Sequence, residues 1–299
     1  MHAKTKKALQ GVITALGTPL DDDNNLHEEG MRRQVAAQIT AGVNGLLCLG
    51  TMGMAQMHTP EVREQAIRVT TEEARGRIPV LVGCGDCSTA RTMQYISVAE
   101  KYGPDGIVLI APYFPKLSDD ELFDYFSTLA TSTPVPVYIY DTPAYTNRQL
   151  TSDLVKKLAK RTDIVGLKAS GDMAIFRECV EYFKGDPNFA VFSGHTSFFD
   201  VATLMGADGI IDGLFALAPG LGVEIYQAAV ALDIAGALKA QRRLQRVRDV
   251  VMVESVFGAF SHAMNLLGSP GNFSCPPMRG ITDEGKEKVR KVLVDLQMI

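Results

Sequence analysis

The sequence lacks the features that mark membrane, secreted and nucleic-acid-binding proteins. No apolar stretch approaches the ~20 residues that a membrane-spanning helix needs, and the N-terminus has no apolar segment like that of a secretory signal. Lys and Arg number 30 against 34 Asp and Glu, a net charge of −4, so no basic surface for nucleic acid is expected. The densest basic run, Lys4–Lys7, is short and is interpreted as a solvated tail.

Cysteine is also scarce, with five residues in the chain. Cys48 and Cys179 lie in apolar surroundings and are predicted to be small buried residues, as is typical of a protein in a reducing cytoplasm. Cys84 and Cys87 form a C-x-x-C pair, which is found at redox and metal sites. No second cysteine pair and no histidine cluster accompanies it, so we interpret the pair as loop residues and expect no metal.

An internal repeat in the connecting segments indicates alternating helices and strands. A turn with a glycine at each end and Asn or Asp at its third position occurs at 42–45, 103–106 and 206–209. The first glycine suits the left-handed residue that ends a helix, and the remainder favours a tight turn into a strand. The turns follow three amphipathic stretches, at residues 28–41, 89–102 and 197–205.

Eight short apolar runs are the strand candidates. They are apolar throughout, as expected for strands buried on both faces of a parallel sheet, and their number favours a closed (β/α)8 barrel of the TIM type. An open doubly wound sheet is the alternative, but the first strand is not followed by a G-x-G-x-x-G phosphate loop. The runs are Gly11–Ala15, Leu46–Leu49, Ile78–Val82, Ile107–Ile110, Val135–Tyr140, Ile164–Lys168, Phe189–Phe192 and the pair Ile210 and Ile211.

The strand signals stop after residue 218, and the rest of the chain is predicted to be helical. Helices are expected at 221–250, 254–267 and 282–298, with a turn-rich segment at 268–279. We therefore predict a barrel over residues 1–220, followed over residues 221–299 by a barrel-closing helix and a C-terminal helical extension.

Active sites of such barrels lie at the C-terminal ends of the strands, where Lys168 and Tyr140 end consecutive strands. The low dielectric of a barrel mouth disfavours an ammonium group, and a neutral amine can attack a ketone to form an imine. A phenol beside it can move the protons that this reaction needs. Taken alone, Lys168 is more simply interpreted as a lysine whose amine extends to solvent at a strand end, and Tyr140 can be an interior aromatic of the barrel. Their juxtaposition, however, predicts a catalytic pair.

Three further strand ends supply candidate substrate-binding residues. The turn Gly50-Thr51-Met52 offers a hydroxyl and backbone N–H groups that can hold a carboxylate. His195 can hold a substrate hydroxyl or a distal carboxylate, although a structural role is as probable from the sequence. Asp212 is included as a substrate-binding candidate, and because it would repel phosphate it argues against a barrel for phosphorylated sugars.

These motifs resemble those of the dihydrodipicolinate synthase/N-acetylneuraminate lyase family across nearly the whole chain. The resemblance implies a pyruvate imine on Lys168, no metal or organic cofactor, and a homotetramer built as a dimer of dimers. The motifs that carry it are Gly11–Ala15 followed by Thr18-Pro19, Gly50-Thr51-Met52-Gly53, Tyr140-Asp141-Thr142-Pro143, Gly166-Leu167-Lys168 and Cys275-Pro276-Pro277-Met278-Arg279.

The sequence departs from the family's synthases at several positions. Phe114 stands where those enzymes have a tyrosine that completes a proton relay in a neighbouring subunit, and Tyr145 stands where they have the arginine that binds the second substrate's carboxylate. Met52 replaces a hydroxyl residue, Met54 a glutamate and Asp141 an asparagine. These departures argue against lysine biosynthesis.

The leading hypothesis is thus a Schiff-base aldolase or lyase that acts on a 2-oxo acid, for instance a 2-keto-3-deoxy sugar acid. The alternatives are a dehydratase on such an acid, a dihydrodipicolinate synthase, and a regulatory family member that binds a 2-oxo acid without catalysis. The presence of both Lys168 and Tyr140 argues against the regulatory alternative.

Overall fold

A closed ring of eight parallel strands forms the centre of the protein, which confirms the predicted (β/α)8 barrel. The computed structural model describes residues 9–299, so the basic run Lys4–Lys7 lies outside the described residues. The strands are β1 (Gly11–Ala15), β2 (Gly45–Cys48), β3 (Val80–Gly83), β4 (Gly106–Ile110), β5 (Val137–Asp141), β6 (Ile164–Ala169), β7 (Ala190–Ser193) and β8 (Gly209–Asp212).

Helices alternate with the strands and continue beyond the last one. They are α1 (Glu28–Thr40), α2 (Pro60–Ala74), α3 (Thr89–Glu100), α4 (Asp119–Thr131), α5 (Pro143–Thr146), α6 (Ser152–Ala159), α7 (Met173–Phe183), α8 (Phe199–Met205), α9 (Pro219–Val230), α10 (Ile234–Val251), α11 (Val256–Leu266) and α12 (Asp283–Asp295). Short 3-10 turns lie at Ala55–Met57, Thr196–Phe198 and Leu214–Ala216. Within the described part of the chain, no helix is both long and apolar enough to cross a membrane.

Each of the repeated turns joins a helix to the strand that follows it, at the N-terminal ends of the strands. Gly42, Gly103 and Gly206 all have positive φ, at 79°, 62° and 108°, as predicted for residues that end helices. The acidic or amide side chain of each turn also accepts a hydrogen bond from the backbone of the preceding strand. The contacts join Val12 N–H to Asn44 at 2.9 Å, Val80 N–H to Asp105 at 2.8 Å and Val191 N–H to Asp208 at 2.7 Å.

The barrel closes where β8 pairs with β1, from Gly11 with Gly209 to Thr14 with Asp212. Helix α9 packs on β1, and a Cβ on Gly222 would lie 2.6 Å from Phe215. The close approach of α9 to Phe215 explains why the helix has a glycine at position 222. The predicted boundary at residue 220 falls within α9 and stays a prediction.

Two apolar layers hold the fold together. A small cluster fills the barrel interior, with Ile13, Leu81 and Phe192 among its members. A larger cluster lies between the strands and the surrounding helices and continues into the C-terminal helices. Because every strand faces both layers, its residues are apolar on both faces, which is the origin of the runs seen in the sequence.

The predicted single helix over 221–250 was wrong, because the chain there forms α9 and α10. Leu232 has a left-handed backbone with φ of 59°, which a continuous helix cannot contain. Asp233 then begins α10 by accepting a hydrogen bond from Gly236 N–H at 2.9 Å. The other predicted elements are present, and their ends differ from the predicted ends by at most three residues.

The cysteines lie where the sequence predicted. Cys48 and Cys179 are buried, and Cys84 and Cys87 lie in the loop between β3 and α3. All five cysteines are free thiols. Among residues 9–299, no three His, Cys, Asp or Glu side chains are grouped so that they could hold a metal ion.

Candidate active site

Lys168 and Tyr140 face each other across neighbouring strands. Strand β5 pairs with β6 so that Tyr140 lies in register with Lys168. Both side chains are buried, with 5% of Tyr140 and 4% of Lys168 exposed. The Lys168 amine lies 3.9 Å from the centroid of the Tyr140 ring. The structure therefore brings together the two residues that the sequence predicted as a catalytic pair.

The environment of Tyr140 lowers the pKa of its phenol. Burial acts to raise the pKa of Tyr140, but the Lys168 ammonium and hydrogen bonds to Thr142, Thr51 and Ser170 together lower that pKa below its ordinary value. A phenol with a lowered pKa gives up its proton more readily at neutral pH and can take it back during a reaction. Thr142 and Ser170 were not among the predicted site residues, although Thr142 lies in the motif that begins at Tyr140 and Ser170 follows Lys168 by two positions.

The turn after β2 brings Thr51 to Tyr140. The Thr51 hydroxyl lies 3.3 Å from the Tyr140 hydroxyl. Leu49 and Met54, on either side of the turn, both have left-handed backbones, with φ of 58° and 47°. Such conformations are costly for residues other than glycine and cluster at functional sites. A glycine at position 53 lets this turn pack closely against Leu16, because a Cβ there would lie 3.0 Å from the Leu16 carbonyl oxygen.

The two methionines of this turn have different surroundings. Met52 packs on the interior cluster of the barrel, and a Cβ on Gly213 would lie 2.7 Å from its side chain. Met54 is buried beside Leu20 and Val62. Neither side chain can form the hydrogen bond of a hydroxyl or carboxylate, so only the backbone of this turn and Thr51 remain to bind a substrate carboxylate.

Asp141 is a buried carboxyl next to the catalytic pair. Its Oδ1 accepts a hydrogen bond from Leu150 N–H at 3.0 Å, and its Oδ2 accepts one from the Gln149 amide. Burial raises the pKa of Asp141 to about 6, although these hydrogen bonds oppose that effect. The side chain thus anchors the segment after α5 to the end of β5.

His195 and Asp212 lie at the ends of the next two strands. The His195 Nε2 atom lies 3.0 Å from the Gly171 carbonyl oxygen, and Asp212 Oδ1 accepts a hydrogen bond from Leu214 N–H at 2.8 Å. Burial raises the pKa of Asp212, while Lys168 and His195 act to lower it. Asp212 interacts electrostatically with Lys168, and both side chains already have protein partners, so their substrate-binding role stays a prediction.

A cavity of about 290 Å³ opens beside the pair, with Thr51 and Tyr140 in its wall. Two wall residues come from the C-terminal helical region, Phe257 in α11 and Met278 in the segment before α12. The sequence offered no signal for Phe257, and it marked Met278 only as part of the motif Cys275–Arg279, without placing that motif at the site. The fold alone brings both residues to a strand end more than 100 positions earlier.

Comparison with known proteins agrees with this geometry. Residues 8–296 match the Dihydrodipicolinate synthetase family. The chain belongs to this family. This confirms the predicted resemblance, and the alternation of strands and helices in the barrel is the family's fold.

Relatives in the family include both aldolases and synthases. A probable 2-dehydro-3-deoxy-D-pentonate aldolase of Escherichia coli (strain K12) is 33% identical, and the alignment covers 96% of this chain and 97% of the relative. A 4-hydroxy-tetrahydrodipicolinate synthase of Gluconacetobacter diazotrophicus is 30% identical over 95% of this chain and 96% of the relative.

The solved structures give the same result. A prophage protein from E. coli K12, described as a member of the dihydrodipicolinic acid synthase family and solved in complex with pyruvate, superposes with a TM-score of 0.90 at 30% identity. The superposition covers 97% of this chain and 99% of that protein. The names of these family members agree with the predicted enzyme class, a lyase or aldolase of pyruvate chemistry.

Proposed function

We propose that this chain is a lyase of the class I aldolase type, which cleaves a 4-hydroxy-2-oxo acid to pyruvate and an aldehyde. The observation that carries the proposal is the buried pair of Lys168 and Tyr140, in register on adjacent strands at the mouth of the barrel. A buried amine beside a proton-transfer group is the arrangement that imine formation requires. The pyruvate complex of the E. coli prophage protein supports the choice of 2-oxo acid.

The proposed reaction begins with the amine of Lys168. It attacks the C2 ketone, and loss of water leaves an imine whose protonated form is an electron sink. The phenol of Tyr140 gives its proton to the hydroxyl that leaves as water, so the Tyr140 oxygen can then accept the proton of the C4 hydroxyl. The C3–C4 bond breaks, and its electron pair enters the imine to give an enamine. The aldehyde leaves, C3 takes up a proton, and water hydrolyses the imine to release pyruvate and the free amine.

The other residues of the site would position the substrate. Thr51 holds the Tyr140 hydroxyl, and the backbone N–H groups of the Gly50–Met52 turn are proposed to hold the 2-oxo acid's carboxylate. We retain His195 and Asp212 as candidates for contacts to the distal part of the substrate. The imine itself supplies the electron sink, so we propose that no metal or organic cofactor takes part.

The synthase alternative lacks its second-substrate contacts in this structure. Phe114 is 90% exposed and carries no hydroxyl, and Tyr145 offers no guanidinium. The next arginine along the chain, Arg148, is paired with Asp119. The dehydratase alternative would use the same imine to expel a hydroxyl group from the substrate, and product analysis separates it from the aldolase.

The cellular setting follows from the same proposal. The five free cysteines are typical of the cytoplasm, where we propose that the enzyme acts. The homotetramer implied by the family resemblance stays a prediction, which the molar mass in solution tests directly.

The proposed function is tested by trapping the imine. The protein is incubated with pyruvate and borohydride, and the peptide masses are then measured. We expect one reduced pyruvyl group on Lys168, and none in Lys168→Met, which keeps a long buried side chain without the amine. Lys160→Met at the exposed end of α6 is the matched control and should be labelled at Lys168 like the parent. An unlabelled parent, or a label on another lysine, would contradict the proposal.

A further inference from the structure

The cavity beside the catalytic pair has an apolar wall. Ile110 at the end of β4 lies on it, together with Met54 and Met57 from the segment after β2. Phe257 and Met278 of the C-terminal region complete this wall. The site therefore continues from the polar turn at Thr51 into a space lined by thioether and aromatic side chains.

Polar side chains are a minority of the cavity wall, and two of them, Gln56 and Tyr113, already have partners in the protein. Among the described residues that line it, none carries a formal charge. The Gln56 amide donates to the Gly85 carbonyl oxygen at 3.0 Å, and the Tyr113 hydroxyl lies 3.5 Å from Asp86. A substrate with several hydroxyl groups would lose water here without gaining the partners that buried hydroxyls need.

We propose that the aldehyde partner of this enzyme carries an apolar substituent, either an aryl ring or a branched alkyl chain, which binds against Met54, Met57, Phe257 and Met278. The inference rests on the proposed function, because Tyr140 of the proposed catalytic pair lies in the wall of this cavity. It differs from the sugar acid named for the E. coli relative, since polyhydroxylated aldehydes become the poor substrates.

The volume of the cavity and the flexible methionine side chains in its wall suit an aryl or branched alkyl substituent. A dry cavity of ~150 Å³ is large enough to hold benzene, and this cavity measures about 290 Å³. A ring and the carbon atoms that join it to the imine therefore fit. Methionine side chains adapt to irregular apolar shapes and contact aromatic rings favourably, so rings and branched chains are both accommodated.

The test measures condensation of pyruvate with a panel of aldehydes. We expect kcat/KM to rise about fourfold for each methylene from propanal to pentanal, which corresponds to the transfer free energy of one buried methylene. Benzaldehyde and 3-methylbutanal should exceed glyceraldehyde and glycolaldehyde by about tenfold or more, because unpaired buried hydroxyls are costly. Pyruvate consumption is followed in each case.

A variant locates the effect in the cavity. Met57 is 41% exposed, so Met57→Gln adds an amide to the wall without disturbing the core. It should lower the ratio of kcat/KM for benzaldehyde to kcat/KM for glyceraldehyde by about three- to tenfold. Met252→Gln, at a 58% exposed methionine after α10, is the matched control and should behave like the parent. Met278→Gln, in the segment before α12, should have the same effect as Met57→Gln.

Borohydride trapping separates the two possible failures. A pyruvyl adduct on Lys168 together with equal or better turnover of hydroxylated aldehydes overturns this inference and leaves the proposed function standing. An adduct without condensation of any apolar aldehyde also overturns it. A protein that forms no adduct overturns the proposed function, and the inference falls with it.

Discussion

The Lys168 amine lies over the face of the Tyr140 ring, 3.9 Å from its centroid, while the Tyr140 hydroxyl lies 3.3 Å from Thr51. The ring and the hydroxyl of one residue thus have separate partners. The ring face contacts the Lys168 amine, and we propose that the hydroxyl beside Thr51 transfers the proton. This separation allows the two contributions to be measured independently.

Tyr140→Phe should keep the contact with Lys168 and lose the proton transfer. We expect kcat to fall by roughly 10²–10⁴, the usual contribution of a positioned acid–base group, while pyruvate is still trapped on Lys168 at a lower rate. Steady-state kinetics and mass measurement check the two parts. Tyr182→Phe, at a 60% exposed tyrosine on α7, is the control, and near-normal turnover in Tyr140→Phe would mean that another group moves the proton.

Asp141 should make the fold less stable as the pH rises. Burial raises its pKa to about 6 in the fold, whereas an unfolded chain has an Asp pKa of about 3.9. Between about pH 4 and pH 6 the Asp141 carboxyl keeps its proton in the folded protein but loses it in the unfolded chain. The stability that the protonated carboxyl contributes is therefore fully present below about pH 4 and is lost by about pH 6.

Asp141→Asn removes this titration. The stability of the variant relative to the parent should increase between about pH 4 and pH 6, by up to about 3 kcal/mol, and then stay constant. Denaturant unfolding at a series of pH values measures it. Asp153→Asn, whose side chain is 95% exposed, should show no such trend, and a parallel pair of pH curves for Asp141→Asn would refute the assignment.

Two glycine substitutions should have opposite effects. A Cβ on Gly83 would lie 2.1 Å from the Leu49 carbonyl oxygen, so Gly83→Ala must displace the turn that holds Thr51. We expect it to lower both the free energy of unfolding and kcat. A Cβ on Gly220 meets nothing within 4 Å, and Gly220→Ala in α9 should stabilise the protein by about 0.5–1 kcal/mol. Thermal unfolding of both variants checks the contrast.

Condensation of pyruvate with aspartate semialdehyde should be poor. Tyr145 lines the cavity and is 57% exposed, but it cannot form the charge-assisted pair that arginine makes with a carboxylate. Tyr145→Arg should raise kcat/KM for aspartate semialdehyde and not for benzaldehyde. Strong synthase activity in the parent would restore the synthase alternative.

Much of this architecture is determined by local signals in the sequence. Strands buried on both faces must be apolar throughout, and a chain that turns at the end of a helix needs a left-handed residue, which is why the glycines of the repeated turns were recognisable. The break between α9 and α10 was not recognisable, because Leu232 and Asp233 are individually compatible with a helix.

The sequence also pointed to the residues that we propose carry the chemistry. Lys168 and Tyr140 end successive strands, and neighbouring parallel strands place their ends at the same edge of a sheet, so their meeting follows from chain order. Only the tertiary structure determined which residues surround that pair. Phe257 and Met278 reach the cavity because the C-terminal helices fold back on the barrel. Contacts between positions so far apart depend on the packing of whole helices, which no local pattern of residues encodes.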